Sequence, residues 1–419
     1  MAKAQRLERY SRLENPYKTA IIVNPIMRGG IVPEAVQERL IEEGWMKVGY
    51  SICFDCLHGR SSLVSKPPVD EFLKDVAEFY GGSYAEHTFG CRSAQYAVMR
   101  TIREYANSSG EYASVVVADP FCHYTTLIAA ELAGLNIVEA PQTGQPEYRV
   151  DPDGFRSKIE EVKKRFGKKP ALLLVTHAEP YYGNLNPVEE VGKISEEYGI
   201  PYMVNAAYTG GVMPVNMKSI GADFLTISAH KSMASLGPLG FLIFSEEWVE
   251  SVLRGSEIIA EGSGRSFRGK FPNFFGCSIG GVPLISAMYS FPYVVERVNR
   301  WDSELEKVNW FVREMEKIGG IFLEGERPHR HHLMHFEVPI IWEISKYHKR
   351  RGFFLAEEMM KRGIVGLQRG ISRYMKISLY GLQWGEVEKV RDALQEIVEK
   401  YIKEFGIETG KISEKSAER

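Results

Sequence analysis

Between residues 83 and 245 short apolar runs alternate with stretches of helical period, and this alternation limits the fold more than any other feature of the chain. The runs are Ser114-Val-Val-Val-Ala, Asn136-Ile-Val-Glu-Ala, Ala171-Leu-Leu-Leu-Val, Pro201-Tyr-Met-Val-Asn, Asp223-Phe-Leu-Thr-Ile-Ser and Gly240-Phe-Leu-Ile-Phe. Most are nearly continuous in apolar residues, as strands are when both faces of their sheet are covered. Helical patterns over Ser93 to Asn107, His123 to Ala133, Phe155 to Phe166 and Val188 to Tyr198 lie between them. The order predicts an α/β fold with a doubly wound, mostly parallel sheet. In such sheets ligands bind at the carboxyl ends of the strands.

The flanking regions read differently. Pro33 to Trp45 and Val69 to Tyr80 have helical spacing, the second with Phe72, Val76 and Phe79 on one face. Gly49-Tyr-Ser-Ile-Cys-Phe-Asp-Cys56 fits neither period and reads as a loop. A helical stretch runs from Gly281 to about Gly319, with a break expected near Pro292. Strand (His332 to Val338), helix (Phe353 to Arg362), strand (Tyr374 to Leu379) and helix (Glu386 to Phe405) then predict a small C-terminal α+β domain. The expected division is an N-terminal segment with the cysteine loop (1–80), a large domain (81–290), a small domain (291–405) and a flexible tail (406–419).

Lys and Arg total 52 against 54 Asp and Glu, and 44% of the 419 residues are apolar. This balance excludes a disordered or collagen-like chain, and confines any nucleic-acid contact to local basic patches. Candidate patches are Lys163-Lys-Arg165, Lys168-Lys169, Arg265 to Lys270 and Lys349-Arg-Arg351; each alone fits a solvated face. Five cysteines, an odd number, argue for a reducing, cytoplasmic setting. No stretch has the length and apolarity of a membrane helix, and Met1 to Lys18 has no apolar signal core.

Ser228-Ala-His-Lys231-Ser follows a buried-looking strand and precedes the Gly-rich Leu236-Gly-Pro-Leu-Gly. That is an odd place for a solvated lysine, and an amine there suits Schiff-base chemistry. Ser228 and His230 are candidate donors to a phosphate. Phe89-Gly-Cys91-Arg92 sits at a strand–helix turn, where backbone N–H groups and Arg92 would cradle an anion. His123 opens a helix after a strand; it suits stacking on a planar ring or helix capping. Asn205 ends a strand, where a polar group reaches a ring nitrogen or simply turns the chain. Phosphate turn, ring stacker, strand-end amide and lysine in this order resemble the pyridoxal-phosphate enzymes with a doubly wound large domain. Thr176-His-Ala-Glu179 resembles the stretch that reaches the cofactor's ring hydroxyl, through either His177 or Glu179. Most of that group carry Asp where Asn205 stands; an amide there makes a weaker electron sink, suited to loss of a good leaving group.

The remaining cysteines form a Cys53-Phe-Asp-Cys56 pair and Cys277 in Phe274-Phe-Gly-Cys. Thiolates near a cationic cofactor carry sulfur as persulfide; three of them also suit an iron–sulfur cluster. Cys91 and Cys122 read as packed small residues. The run Pro328-His-Arg-His-His-Leu-Met-His335 reads as a polar loop entering a strand, with metal binding the lesser alternative.

Gly49-Tyr-Ser-Ile-Cys-Phe-Asp-Cys, Gly59-Arg-Ser-Ser, Lys66-Pro-Pro-Val, Phe89-Gly-Cys-Arg, Asn205-Ala-Ala-Tyr-Thr-Gly and Ser228-Ala-His-Lys together resemble the archaeal O-phosphoseryl-tRNA:cysteinyl-tRNA synthases, over roughly residues 15 to 400. The resemblance implies a pyridoxal-phosphate-binding large domain and conversion of phosphoserine on tRNA(Cys) to cysteine. Phosphate would leave by β-elimination and sulfur would add. It implies that Lys231 holds the cofactor, and that Cys91, Arg92, Asn205, Ser228, Ala229 and His230 contact it. Cys53, Cys56 and Cys277 would be the essential cysteines, as persulfide carriers or cluster ligands. It further implies a homodimer supplied by a phosphoseryl-tRNA synthetase, with no role on DNA and an unidentified sulfur donor. Arg60 is a candidate for the substrate phosphate. Tyr374-Met-Lys376-Ile-Ser lacks an Arg clamp for a free carboxylate, which an esterified amino acid does not need, although Arg369 and Arg373 lie close by. A cysteine desulfurase or selenocysteine lyase and a non-enzymatic tRNA-binding subunit are the competing readings.

Overall fold

The computed structural model describes residue 10 and residues 12–23, 31–46, 51–55, 60–62, 67–255, 258–266, 279–370 and 373–408; for 51–55, 60–62 and 279 only the backbone is described. Seven strands form the central sheet: β1 (Tyr84–Thr88), β2 (Tyr112–Ala118), β3 (Asn136–Glu139), β4 (Lys169–Thr176), β5 (Tyr202–Asn205), β6 (Phe224–Ile227) and β7 (Gly240–Phe244). Their spatial order is β1-β7-β6-β5-β4-β2-β3. β7 runs antiparallel to both its neighbours, β1 and β6, and the other neighbouring pairs are parallel.

The apolar runs are continuous because the inner strands β2, β4, β5, β6 and β7 are covered on both faces. On one face Val115, Val117, Leu173, Val175, Val204, Leu225, Ile227, Phe241 and Ile243 pack with Phe72 and Val76 of α1 (Val69–Phe79). Phe155 and Ile159 of α4 (Pro152–Phe166) and Val191 and Ile194 of α5 (Val188–Tyr198) join them. On the other face Val116, Ala118, Leu172, Leu174, Met203, Phe224, Leu242 and Phe244 meet α2 (Cys91–Ser109) and α3 (Tyr124–Ala133). Consecutive strand residues thus enter opposite cores, which is the period of two imposed by the pleat. Each such side chain contributes about 1.5–3 kcal/mol on burial.

Three local readings are corrected. Ser51–Asp55 is a strand, not a loop; it pairs with Arg60–Ser62 and, through Ile52, with Ile279. The partner lies more than two hundred residues away, where no local pattern reports it. The helical stretch after Gly281 breaks at Arg300, between α6 (Gly281–Asn299) and Trp301–Lys317, and Pro292 lies inside α6. A helical proline costs about 3 kcal/mol, but α6 buries Leu284, Ile285, Ala287 and Val294 on both sides of it, which outweighs that. The His-rich run is the loop that enters strand Leu333–Glu337, as expected, but His329, His331 and His332 in it are buried rather than solvated.

The chain divides into two compact units. One comprises residues 29–306 and 324–331 and contains the central sheet; the other comprises residues 1–28, 307–323 and 332–419. In the second, Leu333–Glu337 pairs antiparallel with Tyr374–Ser378, beside helix Trp384–Phe405. There too the short strand Ile21–Ile22 lies parallel to Ile364–Val365. Among the described residues no helix is long and apolar enough to cross a membrane.

Candidate active site

A cavity of about 420 Å³ opens at the carboxyl ends of the strands. β1 leads through Phe89-Gly90 into α2, β5 ends on Asn205, β4 ends on Thr176, and β6 leads through Ser228 to the helical turn Ala229–Ser232 that carries Lys231. Gly90, Cys91, Arg92, His123, Asn205, Ser228, His230 and Lys231 all line it. Ala229 does not; it is fully buried beneath the turn, its carbonyl accepting the N–H groups of Met233 and Ser235.

Gly90 makes the anion end of the cavity. Its φ of 104° suits glycine alone, and a Cβ there would meet the His230 ring at 3.3 Å. The chain thereby enters α2, a helix of 19 residues whose first residues, Cys91, Arg92 and Ser93, line the cavity. Arg92 is exposed beside them, its Nη2 donating to Tyr124 Oη at 3.2 Å. His230 is held by Nδ1 at 3.0 Å from the Leu239 carbonyl. A carbonyl only accepts, so Nδ1 carries the proton, and Ser228 Oγ lies 3.3 Å from Nε2. Burial first, and then Lys231, push the His230 pKa down against the hydrogen bond to Leu239, keeping the ring neutral. His230 lines the cavity as expected, with its Nδ1 proton directed to Leu239; Ser228 Oγ and the start of α2 are the further candidate donors to an anion.

His123 lines the cavity and caps α3, accepting from Thr125 N–H at 3.4 Å. Stacker and cap, offered as alternatives by the sequence, are compatible in one residue. Lys231 is half-buried, its Nζ 4.0 Å from the centroid of the Tyr208 ring, a cation–π distance. The carbonyl of Ser232 and that of Gly211 both accept from the Arg297 guanidinium of α6, the latter at 2.6 and 3.0 Å.

His177 and Glu179 do not reach the cavity; Thr176 and Pro180 line it instead. The Glu179 carboxylate accepts the N–H groups of Tyr181, Tyr182 and Asn184, which shapes the turn after β4. His177 is buried against another depression with Asn186 and Arg330. Desolvation there pushes its pKa down to about 4. Tyr208, Gln95, Asp119 and Arg297 were not singled out from sequence. Tyr208 lies three residues past Asn205 and Gln95 one helical turn past Cys91, so spacing could have found those two. Asp119 follows β2 directly and accepts from Thr176 N–H at 2.7 Å and Phe121 N–H at 3.1 Å; burial pushes its carboxyl up to about 7.

Cys56 and Cys277 lie outside the described residues, as do the side chains of Cys53 and Arg60. Cys53 stands opposite Ser62 in the hairpin, and Ile52 opposite Ile279. Among the described residues no group of three His, Cys, Asp or Glu is arranged to hold a metal. Of the basic patches, Lys163-Lys-Arg165 forms the last turn of α4, where cations offset the helix dipole, and Lys163 pairs with Glu160. Arg350 pairs with Glu357.

A half-buried amine, a helix N-terminus and a buried strand-end amide around one cavity suit covalent capture of a carbonyl compound with an anionic tail. The class-V aminotransferase family model matches residues 64–345. The chain is 46% identical over 396 residues, 94% of its length and 98% of the relative's, to O-phospho-L-seryl-tRNA:Cys-tRNA synthase 2 of Archaeoglobus fulgidus. It is 42% identical over 94% of its length to the O-phospho-L-seryl-tRNA:Cys-tRNA synthase of Methanocaldococcus jannaschii, covering 99% of that protein. A crystal structure of a complex of SepCysS with the SepCysE N-terminal domain matches 94% of this chain and 99% of the solved one, with TM-score 0.83 and 40% identity. A cysteine desulfurase of Thermococcus onnurineus matches with TM-score 0.70 at 19% identity, a likeness of fold alone.

Proposed function

The chain belongs to the O-phospho-L-seryl-tRNA:Cys-tRNA synthase family within the class-V aminotransferases, and on that premise we propose that it turns phosphoserine esterified to tRNA(Cys) into cysteine on the same tRNA. The observation that carries the reading is the convergence of Lys231, Asn205, His123 and the α2 N-terminus on one cavity.

Pyridoxal phosphate fits that cavity by the chemistry of its donors. Lys231 Nζ would take the aldehyde, the N–H groups at the start of α2 with Ser228 Oγ would take the phosphate, His123 would cover the ring, and Asn205 would meet the ring nitrogen. When bound, the cofactor supplies an electron sink that acidifies the substrate α-carbon. Lys231 Nζ, displaced by the substrate amine, would be the base placed to take the α-proton. The face of the Tyr208 ring lies 4.0 Å from that nitrogen, a cation–π distance. Arg92 at the mouth, tied to Tyr124, is a cation for the leaving phosphate, and Arg60 in the hairpin is a second candidate.

Cys53, Cys56 and Cys277 are proposed as sulfur carriers or as ligands of an iron–sulfur cluster. Support comes from the backbone: Ile279, two residues beyond Cys277 in sequence, pairs with Ile52, the neighbour of Cys53. A homodimer, supply by a phosphoseryl-tRNA synthetase, and a cytoplasmic setting complete the proposal. The test is conversion of phosphoseryl-tRNA to cysteinyl-tRNA with sulfide present. Wild type should convert it, and Lys231→Ala, Cys53→Ala, Cys56→Ala and Cys277→Ala should each lose most of the activity. Release of alanine from free cysteine, with phosphoseryl-tRNA untouched, would instead make the protein a desulfurase.

A further inference from the structure

The buried hydrogen bonds at the cavity floor fix which way round the Asn205 amide lies. Asn205 Oδ1 accepts the backbone N–H of Ala207 at 3.1 Å. A backbone N–H only donates, so the atom facing it must be the amide oxygen. The Cys91 thiol lies 3.3 Å from the same oxygen. Asn205 Nδ2 makes no hydrogen bond among the described residues, and Asn205 lines the cavity.

The cysteine is itself oriented. Thr126 Oγ1 donates to Gln95 Oε1 at 2.8 Å, which leaves Gln95 Nε2 to donate to Cys91 Sγ at 3.4 Å. Thr226 Oγ1, also 3.3 Å from the sulfur, can donate to it as well. Sulfur that accepts from both keeps its own proton for Asn205 Oδ1. Gln95, Thr126, Thr226, Asn205 and Cys91 are all buried. Burial raises the Cys91 pKa, so the S–H donor persists at neutral pH.

We infer that Asn205 presents an N–H donor to the cofactor's ring nitrogen, that Ala207 and Cys91 hold it in that sense, and that the ring nitrogen is consequently unprotonated in this enzyme. The inference rests on the cofactor reading above and deepens it. A donor facing a protonated nitrogen would oppose N–H to N–H, so the amide favours the neutral ring. A neutral ring draws less charge from the α-carbon, which suits expulsion of phosphate from the β-carbon and disfavours amino transfer. Cys91 is then a positioning residue acting through Asn205, not a sulfur carrier.

The experiment is nitrogen NMR of the protein reconstituted with pyridoxal phosphate labelled with ¹⁵N in the ring. Wild type should resonate in the range of an unprotonated, hydrogen-bonded pyridine across neutral pH. Asn205→Ala should move the line towards a bare pyridine, and Asn205→Asp towards pyridinium. Cys91→Ala should shift it part of the way towards Asn205→Ala, with Cys91→Ser returning it to the wild-type position. A pyridinium resonance in wild type overturns the inference while leaving the cofactor reading intact. A Cys91→Ala line at the wild-type position removes the role of Cys91. Failure of the protein to take up the labelled compound overturns the cofactor reading and this inference together.

Discussion

Single residues set the anion end of the cavity. Gly90 has a backbone conformation that L side chains rarely adopt, and a neighbouring backbone is close as well: a Cβ on Gly240 would meet the Gly90 carbonyl carbon at 2.4 Å and the Ile227 oxygen at 2.6 Å. Gly90→Ala should cost about 1–3 kcal/mol of stability and weaken pyridoxal phosphate binding, measurable by thermal unfolding and by equilibrium dialysis. Unchanged binding would mean that the start of α2 does not hold the phosphate. Gly240→Ala strikes backbone on both sides and should be the more damaging of the two to folding. A Gly240→Ala protein that unfolds at the wild-type temperature would contradict this packing.

At the scale of elements, α6 and the segment before Leu333 brace the lysine turn from within the same unit. The Arg297 guanidinium satisfies the carbonyls of Gly211 and Ser232, the latter adjoining Lys231. Arg297→Ala removes the guanidinium from which the buried Gly211 and Ser232 carbonyls accept, and should destabilise by about 1.5–3 kcal/mol. It should also raise the dissociation constant for the cofactor. Wild-type unfolding midpoints and cofactor affinity in Arg297→Ala would refute the bracing role. His331 Nε2 donates to the Tyr208 carbonyl at 3.1 Å, beneath the ring that faces Lys231. Burial pushes the pKa of His331 down to about 3 and that of His177 to about 4, from 6.5. Folding therefore holds both imidazoles neutral while the unfolded chain protonates them. The stability they confer is complete above pH 6.5 and is lost as pH falls from 6.5 towards those values. His331→Gln keeps a donor for Tyr208 but cannot titrate, so its unfolding temperature should fall less steeply on acidification than that of wild type. Equal slopes would refute the assignment.

Across the whole molecule, what the sequence could disclose follows from how local its causes are. The strands of the central sheet were legible because burial on both faces writes itself into continuous apolar runs such as Ala171 to Val175. Cavity residues at a strand end or helix start, such as Asn205 and Lys231, were legible for that reason, whereas Gln95, within α2, and Tyr208, three residues past its strand, were not. What escaped was set by distant partners: the strand at Ser51–Asp55 depends on Ile279, and the unbroken α6 depends on packing on both sides of Pro292. The hydrogen bond of His230 to the Leu239 carbonyl was not legible either, because no spacing announces it. The choice between His177 and Glu179 failed because Glu179 is taken by its own turn and His177 faces away from the cavity. The account stands on one covalent bond between this chain and an aldehyde cofactor, and borohydride reduction of the purified protein followed by peptide mass mapping tests it most directly. A pyridoxyl group on Lys231, with loss of the yellow colour, is the predicted result; a protein that carries no such group, or carries it on another lysine, would contradict it.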